Sequence, residues 1–256
     1  MNFKIPFSGR QHTYTKSEIE IVTKTMQDAT PLTQGRYLKK FESEFSSFIG
    51  NKYSFAMNNA TSALEISAQL INIKPGDEII IPGHTYTSSA YPFLKKGGKI
   101  VWADIDLNTR VVTKETIENK LTKKTKAIVI VHLYGYGAEM PKIMELAKQN
   151  NLIVIEDVAQ AIGGSVQDKK CGTFGDLSVF SFHSHKNIST LGEGGMLSTN
   201  NETYSKLIPM LRHNGHCSFN FERKFYWLPA MGNLDMPEIN GDQMWPNNFC
   251  LGEVEM

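Results

Sequence analysis

The sequence has few cysteines, no excess of charge of one sign and no long apolar run. Its 256 residues include three cysteines, Cys171, Cys217 and Cys250, at spacings that form neither a disulfide framework nor a CxxC metal pair. With 27 Lys and Arg against 26 Asp and Glu, the formal charge is +1. That balance gives no electrostatic case for a partner that is a nucleic acid or a membrane surface.

The N-terminal segment and the apolar runs show no targeting signal. Residues 1–11 lack the apolar core of a signal peptide. No run approaches the roughly 20 apolar residues that are needed to cross a bilayer. The 41% content of hydrophobic residues is enough for a full core and excludes a disordered chain. We therefore expect a globular cytoplasmic protein.

Strand-like apolar runs alternate with amphipathic helical stretches, which predicts an α/β domain with a largely parallel sheet. The predicted strands are Tyr53–Met57, Glu78–Ile81, Ile100–Ala103, Ala127–Leu133, Leu152–Glu156, Leu177–Phe182 and Gly195–Ser198. The predicted helices are Lys16–Asp28, Tyr37–Phe48, Ser62–Ile71, Ser88–Lys95, Lys114–Leu121 and Pro141–Gln149, with the first two outside the sheet. The segment Phe219–Asn248 has no sustained period and is predicted to be irregular.

Ligands collect at the carboxyl ends of strands in open α/β sheets, and two polar segments have that position. Asn58–Ser62 offers backbone N–H groups and hydroxyls at a helix N-terminus, which suit either an anion site or an ordinary N-cap. Asp157 follows a buried strand, where a carboxylate needs a partner. That partner is a protonated ring nitrogen, a metal or a helix N-terminus.

Two further segments carry chemistry of other kinds. Lys186 follows a strand into a Gly- and Ser-rich loop, where it is either a nucleophile for carbonyls or a solvated surface group. We expect His183 and His185 beside it to be structural imidazoles rather than zinc ligands. Tyr86 either presents its ring to a flat heteroaromatic ligand or packs in the core. An anion site, a strand-end carboxylate, a lysine and an aromatic ring are together what pyridoxal phosphate requires.

Seven segments of the chain occur in a characteristic order between Ile5 and the last residue. They are Gln34–Tyr37, Asn59–Leu64, Lys74–Glu78, Val131–Gly135, Glu156–Ala161, Phe180–Asn187 and Gly192–Gly195. In this order the chain resembles the DegT/DnrJ/EryC1/StrS sugar aminotransferases. The resemblance implies the pyridoxal-phosphate fold of type I, which is aspartate aminotransferase-like: a three-layer α/β/α large domain around a mostly parallel seven-stranded sheet.

The resemblance also implies roles for residues around the cofactor ring. Lys186 would form the internal aldimine and move the proton between the substrate carbon and cofactor C4′. Asp157 would pair with the pyridinium nitrogen, and Gln160 would hydrogen-bond the phenolic oxygen. Tyr86 is our choice for the residue that stacks on the ring.

Other implied contacts are with the cofactor phosphate. The backbone at Ala60, together with Thr61 and Ser181, would hold it within one subunit. Asn248 would reach the phosphate of the partner subunit in a homodimer whose active sites are shared across the interface. Cys250 stands where the family has Arg, which leaves the function of that Arg unassigned here.

The implied reaction moves an amino group from an amino acid, most often glutamate in this family, to a keto sugar linked to a nucleotide. Residues 1–215 would be the cofactor-binding large domain, and 216–256 an irregular loop leading to a C-terminal small domain that this sequence does not include. Alternatives are a sugar dehydratase of the same family, in which His replaces the lysine, another type I enzyme such as a lyase, and an incomplete chain that only binds cofactor.

Overall fold

A seven-stranded sheet forms the centre of the computed structural model, which describes residues 13–31, 33–213, 238–239 and 242–243. The strands are β1 (Tyr53–Met57), β2 (Glu78–Pro82), β3 (Lys99–Ala103), β4 (Thr125–Val131), β5 (Ile153–Asp157), β6 (Ser165–Val166), β7 (Lys169–Lys170), β8 (Leu177–Ser181), β9 (Gly195–Thr199), β10 (Glu238–Ile239) and β11 (Asp242–Gln243). The central sheet has the order β1-β9-β8-β5-β4-β2-β3. Only β9 runs antiparallel to its neighbours within it. The predicted mostly parallel sheet is confirmed, with each strand within two residues of its predicted bounds.

The helices are α1 (Lys16–Asp28), α2 (Arg36–Ile49), α3 (Ala60–Leu70), α4 (Tyr91–Lys95), α5 (Lys114–Glu118), α6 (Met140–Gln149) and α7 (Glu202–Leu211). The prediction of one helix over Ser88–Lys95 was wrong. A 3₁₀ turn over Thr87–Ser89 precedes α4, because Pro92 has no N–H to donate and restricts the residue before it. The helix predicted over Lys114–Leu121 is shorter, since α5 ends at Glu118.

One helix and two pairs of short strands were absent from the prediction. Helix α7 follows the cap residue Asn201, whose side chain accepts from two backbone N–H groups. Strands β6 and β7 form a hairpin whose turn residues Gln167 and Asp168 both have positive φ, the geometry of a type I′ turn. Strands β10 and β11 pair within the segment that was predicted to be irregular. The domain boundary at residue 215 stays a prediction.

Helices cover both faces of the sheet, and the alternation of side chains along β8 shows how. Val179 packs into the larger hydrophobic cluster together with Leu64 and Ile66 of α3. Phe180, the next residue, packs on the opposite face with Phe45 of α2 at 4.9 Å between ring centroids. Strands β4 and β5 are buried over most of their length, as their apolar sequences predict. Helix α1 lies outside the sheet and contains no buried residue.

Within the described residues, no helix combines the length and the apolar character that crossing a membrane requires.

Candidate active site

Five strands of the sheet end at the same edge and open onto one cavity of about 410 Å³. These are β1, β2, β4, β5 and β8, which all run in the same direction. Seven of the eight predicted cofactor residues line this cavity: Ala60, Thr61, Tyr86, Asp157, Gln160, Ser181 and Lys186. The eighth, Asn248, lies outside the described residues, as do Cys217 and Cys250.

The N-terminus of α3 forms one wall of the cavity. Asn59 caps this helix, because its Oδ1 accepts from the backbone N–H of Ser62 at 2.9 Å. The Thr61 hydroxyl is therefore not used as a cap and instead lies 2.8 Å from Ser88 Oγ. Within the described part of the chain, the N–H groups of Ala60 and Thr61 have no acceptor. The segment is thus both a capped helix start and a set of donors suited to an anion.

Asp157 lies at the end of β5 with 7% of its surface exposed. Its Oδ2 accepts from Ser89 Oγ at 2.8 Å, and its Oδ1 accepts from Ala159 N at 3.1 Å. These two donors satisfy the requirement that a buried carboxylate be hydrogen-bonded. In the described ranges, no group of three or more His, Cys, Asp or Glu side chains is placed to hold a metal ion.

Lys186 is held at the cavity by a loop that folds back on itself after β8. Phe182 N donates to Gly194 O at 2.8 Å, and Ser184 N donates to Gly192 O at the same distance. Lys186 N donates to His183 O at 2.8 Å, which closes a turn at the loop's tip. The loop therefore presents Lys186, which is half-buried, to the same cavity as Asp157.

Gln160 and Tyr86 lie at other sides of the cavity. The Gln160 amide oxygen accepts from the backbone N–H of Tyr134 at 3.0 Å. Because the oxygen is used in this way, the amide NH₂ is the group left to donate to a ligand. Tyr86 is 72% exposed, so it lies at the mouth of the cavity and is not a core residue.

His183 and His185 both line the cavity. Their rings make an edge contact at 4.9 Å between centroids. His183 Nδ1 accepts from His185 N at 3.2 Å, and its Nε2 lies 3.4 Å from Glu193 Oε1. Glu193 was not among the predicted site residues, because it is ten residues from His183 and only the folded-back loop brings the two together.

A buried pair of side chains lies where β4 and β5 end. His132 Nε2 and Glu156 Oε2 are 3.0 Å apart, and both residues are fully buried. Burial lowers the pKa of His132, whereas the Cys171 and Glu156 side chains raise it, to about 9. The backbone N–H of Ala138 donates to His132 Nδ1 at 3.2 Å, which opposes protonation of that nitrogen. Because Nδ1 accepts from Ala138 N, we assign one proton to the ring, on Nε2, which donates it to Glu156; the acceptor role of Nδ1 opposes the doubly protonated form that the raised pKa by itself would favour at pH 7.

Three hydroxyls of one segment were also not predicted to lie at the site. Thr85, Ser88 and Ser89 lie on either side of Tyr86 in the sequence. Thr85 and Ser88 line the cavity, whereas Ser89 donates to Asp157 without lining it. The hydroxyl-rich run after β2 was the available signal. The prediction of a helix from Ser88 onward left out the 3₁₀ turn over Thr87–Ser89, which directs these side chains to the site.

The strand order and the convergence of five strand ends on this cavity define an aspartate aminotransferase-like α/β protein of fold type I. Comparison of the sequence with family models gives the more specific answer. The chain belongs to the DegT/DnrJ/EryC1/StrS aminotransferase family, whose model matches residues 12–241.

Individual relatives agree with this assignment. GDP-perosamine synthase of Caulobacter vibrioides is 38% identical over 224 residues, which are 87% of this chain and 59% of that protein. An aminotransferase structure from Psychrobacter cryohalolentis superposes with a TM-score of 0.74 at 36% identity, covering 78% of this chain and 51% of that one. The structure of GDP-4-keto-6-deoxy-D-mannose-3-dehydratase of Escherichia coli, with bound hydrated pyridoxal phosphate, superposes with a TM-score of 0.77 at 27% identity. The match covers 82% of this chain and 55% of that one. The chain thus spans little more than half the length of these relatives.

Proposed function

We propose that this chain is the cofactor-binding part of a pyridoxal-phosphate-dependent aminotransferase that moves an amino group from an amino acid to a keto sugar linked to a nucleotide. The observation that carries the proposal is that Lys186 and Asp157 line one cavity with five further residues of matching chemistry. The names of the relatives support the sugar substrate, and glutamate is the donor that we propose.

The donors around the cavity fit the two charged ends of the cofactor. At one end, the free N–H groups of Ala60 and Thr61 and the hydroxyl of Ser181 suit a phosphate. At the other, Asp157 keeps lone pairs on both oxygens beyond its two hydrogen bonds, which suits a protonated ring nitrogen. A buried carboxylate next to that nitrogen keeps it protonated.

The remaining residues fit the faces and the reactive edge of the ring. The NH₂ group of Gln160 would donate to the phenolic oxygen, and the Tyr86 ring, at the mouth of the cavity, would stack on the cofactor ring. When bound, pyridoxal phosphate supplies an aldehyde that reacts with amines and an aromatic ring that accepts an electron pair. Lys186 would supply the amine that holds this aldehyde and could act as the base for a proton at the substrate carbon.

The assembly and location of the protein belong to the same proposal. We propose a cytoplasmic homodimer in which Asn248 of one copy reaches the cofactor phosphate of the other. The support is the resemblance of the Asn248 segment to that of the family. The balanced formal charge of +1 agrees with a small-molecule substrate rather than a nucleic acid.

The decisive experiment is a titration of the purified chain with pyridoxal phosphate, followed by visible absorbance. We expect the wild type to develop the absorbance of lysine-bound cofactor and Lys186→Ala to lack it, because no other amine is presented at the cavity among the residues that line it. Lys148→Ala, which changes an exposed lysine at the end of α6, is the matched control and should behave as the wild type. A wild type that stays colourless would refute cofactor binding at Lys186.

Addition of glutamate to the coloured protein then tests amino transfer. The absorbance should change to that of the pyridoxamine form, with one equivalent of keto acid released. No change with any amino donor would contradict the aminotransferase and favour a protein that binds cofactor only. A pyridoxamine form that removes a sugar hydroxyl instead of donating its amine would indicate the dehydratase, which the lysine at position 186 disfavours.

A further inference from the structure

The 3₁₀ turn after Tyr86 places two consecutive hydroxyls against two different parts of the site. Ser88 Oγ lies 2.8 Å from Thr61 Oγ1 at the anion-binding end. Ser89 Oγ lies 2.8 Å from Asp157 Oδ2 at the carboxylate end. The two consecutive residues make these contacts from a tight turn, in which Ser89 N donates to Tyr86 O at 3.0 Å.

The direction of the protons in this network follows from counting donors. An ionised carboxylate only accepts, so Ser89 must donate its single hydroxyl proton to Asp157. Thr85 Oγ1 lies 2.7 Å from Ser89 Oγ. Since the Ser89 proton is already used, Thr85 must be the donor in that contact. The result is a directed chain from Thr85 through Ser89 to Asp157, which strengthens the last bond.

The two hydrogen bonds to Asp157 determine the orientation of its carboxylate. Ala159 N holds Oδ1 and Ser89 Oγ holds Oδ2, so the plane of the group cannot rotate without breaking one of them. Ser89 has 0% exposure, so water has no access to replace its hydroxyl. A hydrogen bond to a charged group at a buried site is among the stronger ones in proteins.

We propose that Ser89, supported by Thr85, is a positioning residue that orients the Asp157 carboxylate toward the ring nitrogen of the bound cofactor. The proposal rests on the cofactor site proposed above. The segment Thr85–Ser89 then has two functions: it carries the stacking Tyr86, and it orients the Asp157 carboxylate that pairs with the ring nitrogen. Ser89 touches no reacting atom and acts only through Asp157.

The test measures binding of two probes to the full chain by calorimetry. The first is pyridoxal phosphate, and the second is its 1-deaza analogue, in which a C–H replaces the ring nitrogen. We expect Ser89→Ala to bind pyridoxal phosphate about ten-fold more weakly than the wild type, the loss typical of a hydrogen bond to a charged group. The same substitution should change the affinity for the deaza analogue less than about two-fold, since that probe has no nitrogen for Asp157 to hold.

Three variants separate positioning from folding. Ser67→Ala is the matched control, because Ser67 is equally buried and its hydroxyl donates to Ala63 O at 2.8 Å in α3. It should leave both affinities unchanged. Ser89→Thr retains the hydroxyl and should restore binding to within about two-fold. Thr85→Val retains the Ser89 bond and should cause a smaller loss, about three-fold.

Each outcome decides the proposal. If Ser89→Ala binds pyridoxal phosphate as tightly as the wild type, or loses affinity for both probes equally, Ser89 does not act through the ring nitrogen and the proposal is overturned. If Ser89→Ala does not fold, the ratio of the two affinities in Thr85→Val decides in the same way. A wild type that binds neither probe would instead refute the proposed cofactor site, and this inference with it.

Discussion

At the scale of single residues, two consecutive carboxylates at the end of β5 have different surroundings. Glu156 points away from the cavity and accepts from His132 and from three backbone N–H groups, those of Gly172, Phe174 and Gly175. Asp157 points to the cavity and accepts from Ser89 and Ala159. Successive side chains of a strand face opposite sides, which separates a structural carboxylate from one available to a ligand.

Replacement of Glu156 by Gln should destabilise the protein strongly. A Gln side chain must place an NH₂ group against backbone N–H donors, which leaves buried donors without an acceptor. We expect a loss of about 3 kcal/mol in the free energy of unfolding, measured by urea denaturation. Glu44→Gln, at an exposed pair 3.8 Å from Lys40, should cost less than about 0.5 kcal/mol. Equal effects of the two substitutions would contradict this account.

At the scale of elements, the segment Lys74–Glu78 is a structural turn rather than part of the site. Asp77 N donates to Lys74 O, and Asp77 Oδ2 accepts from Lys74 N, both at 3.0 Å. Lys126 Nζ of β4 lies 3.0 Å from the same carboxylate oxygen. Glu78 receives hydrogen bonds from Lys99 Nζ at 2.9 Å and Thr122 Oγ1 at 2.5 Å. These contacts determine where β2 begins between β3 and β4.

Asp77→Asn should therefore change how stability depends on pH. Partial burial raises the pKa of Asp77, but the hydrogen bonds from Lys74 and Lys126 together lower it by more, so the net shift is downward. A carboxylate with a lowered pKa stabilises the fold above its unfolded value, near 4, and loses that contribution as the pH falls. We expect the variant to be about 1 kcal/mol less stable at pH 7 and to show a smaller deficit at about pH 3, where the lowered pKa no longer favours the folded protein fully.

Urea denaturation at the two pH values measures this difference. Asp104→Asn, which changes an exposed carboxylate after β3, is the control and should shift stability by less than about 0.5 kcal/mol at either pH. A deficit of Asp77→Asn that is equally large at low pH would show that geometry rather than charge is responsible.

At the scale of the whole molecule, the site depends on segments far apart in the sequence meeting at one edge of the sheet. Gly195 begins β9 directly against the start of α3. A Cβ atom at this position would lie 2.5 Å from Asn59 O and 2.7 Å from Ala60 N, both backbone atoms. The close approach of β9 and α3 therefore requires glycine, and it determines the position of the donors at Ala60 and Thr61.

Gly195→Ala should force these two elements apart. We expect about 2 kcal/mol of destabilisation, the usual cost of overpacking against backbone, together with weaker binding of pyridoxal phosphate. Thermal unfolding with and without the cofactor measures both effects. Gly83→Ala is the control at the same edge of the sheet, because its added Cβ would lie 3.7 Å from Ala103 O in ordinary contact. If the cofactor raises the unfolding temperature of Gly195→Ala as much as that of the wild type, the close approach of β9 to α3 does not shape the site.

Much of this protein was determined by its sequence alone, because the signals are local. Apolar runs and amphipathic periods located all seven strands of the sheet, and the segment order identified the family. Helix boundaries were less accurate where a proline intervened, as in the stretch from Thr87 to Lys95. The eight cofactor residues were chosen from the residues after strands and from the resemblance, and seven of them line one cavity.

Only the tertiary structure decided which side chains support these residues. Ser89 and Asp157 are 68 positions apart, and His132 and Glu156 are 24 apart, so no periodicity links them. The physical reason is that hydrogen bonds to a buried carboxylate come from whichever donors the sheet brings within about 3 Å, and strand order determines that set. The sequence specified the reactive groups, and the packing of five strand ends specified the partners that orient them.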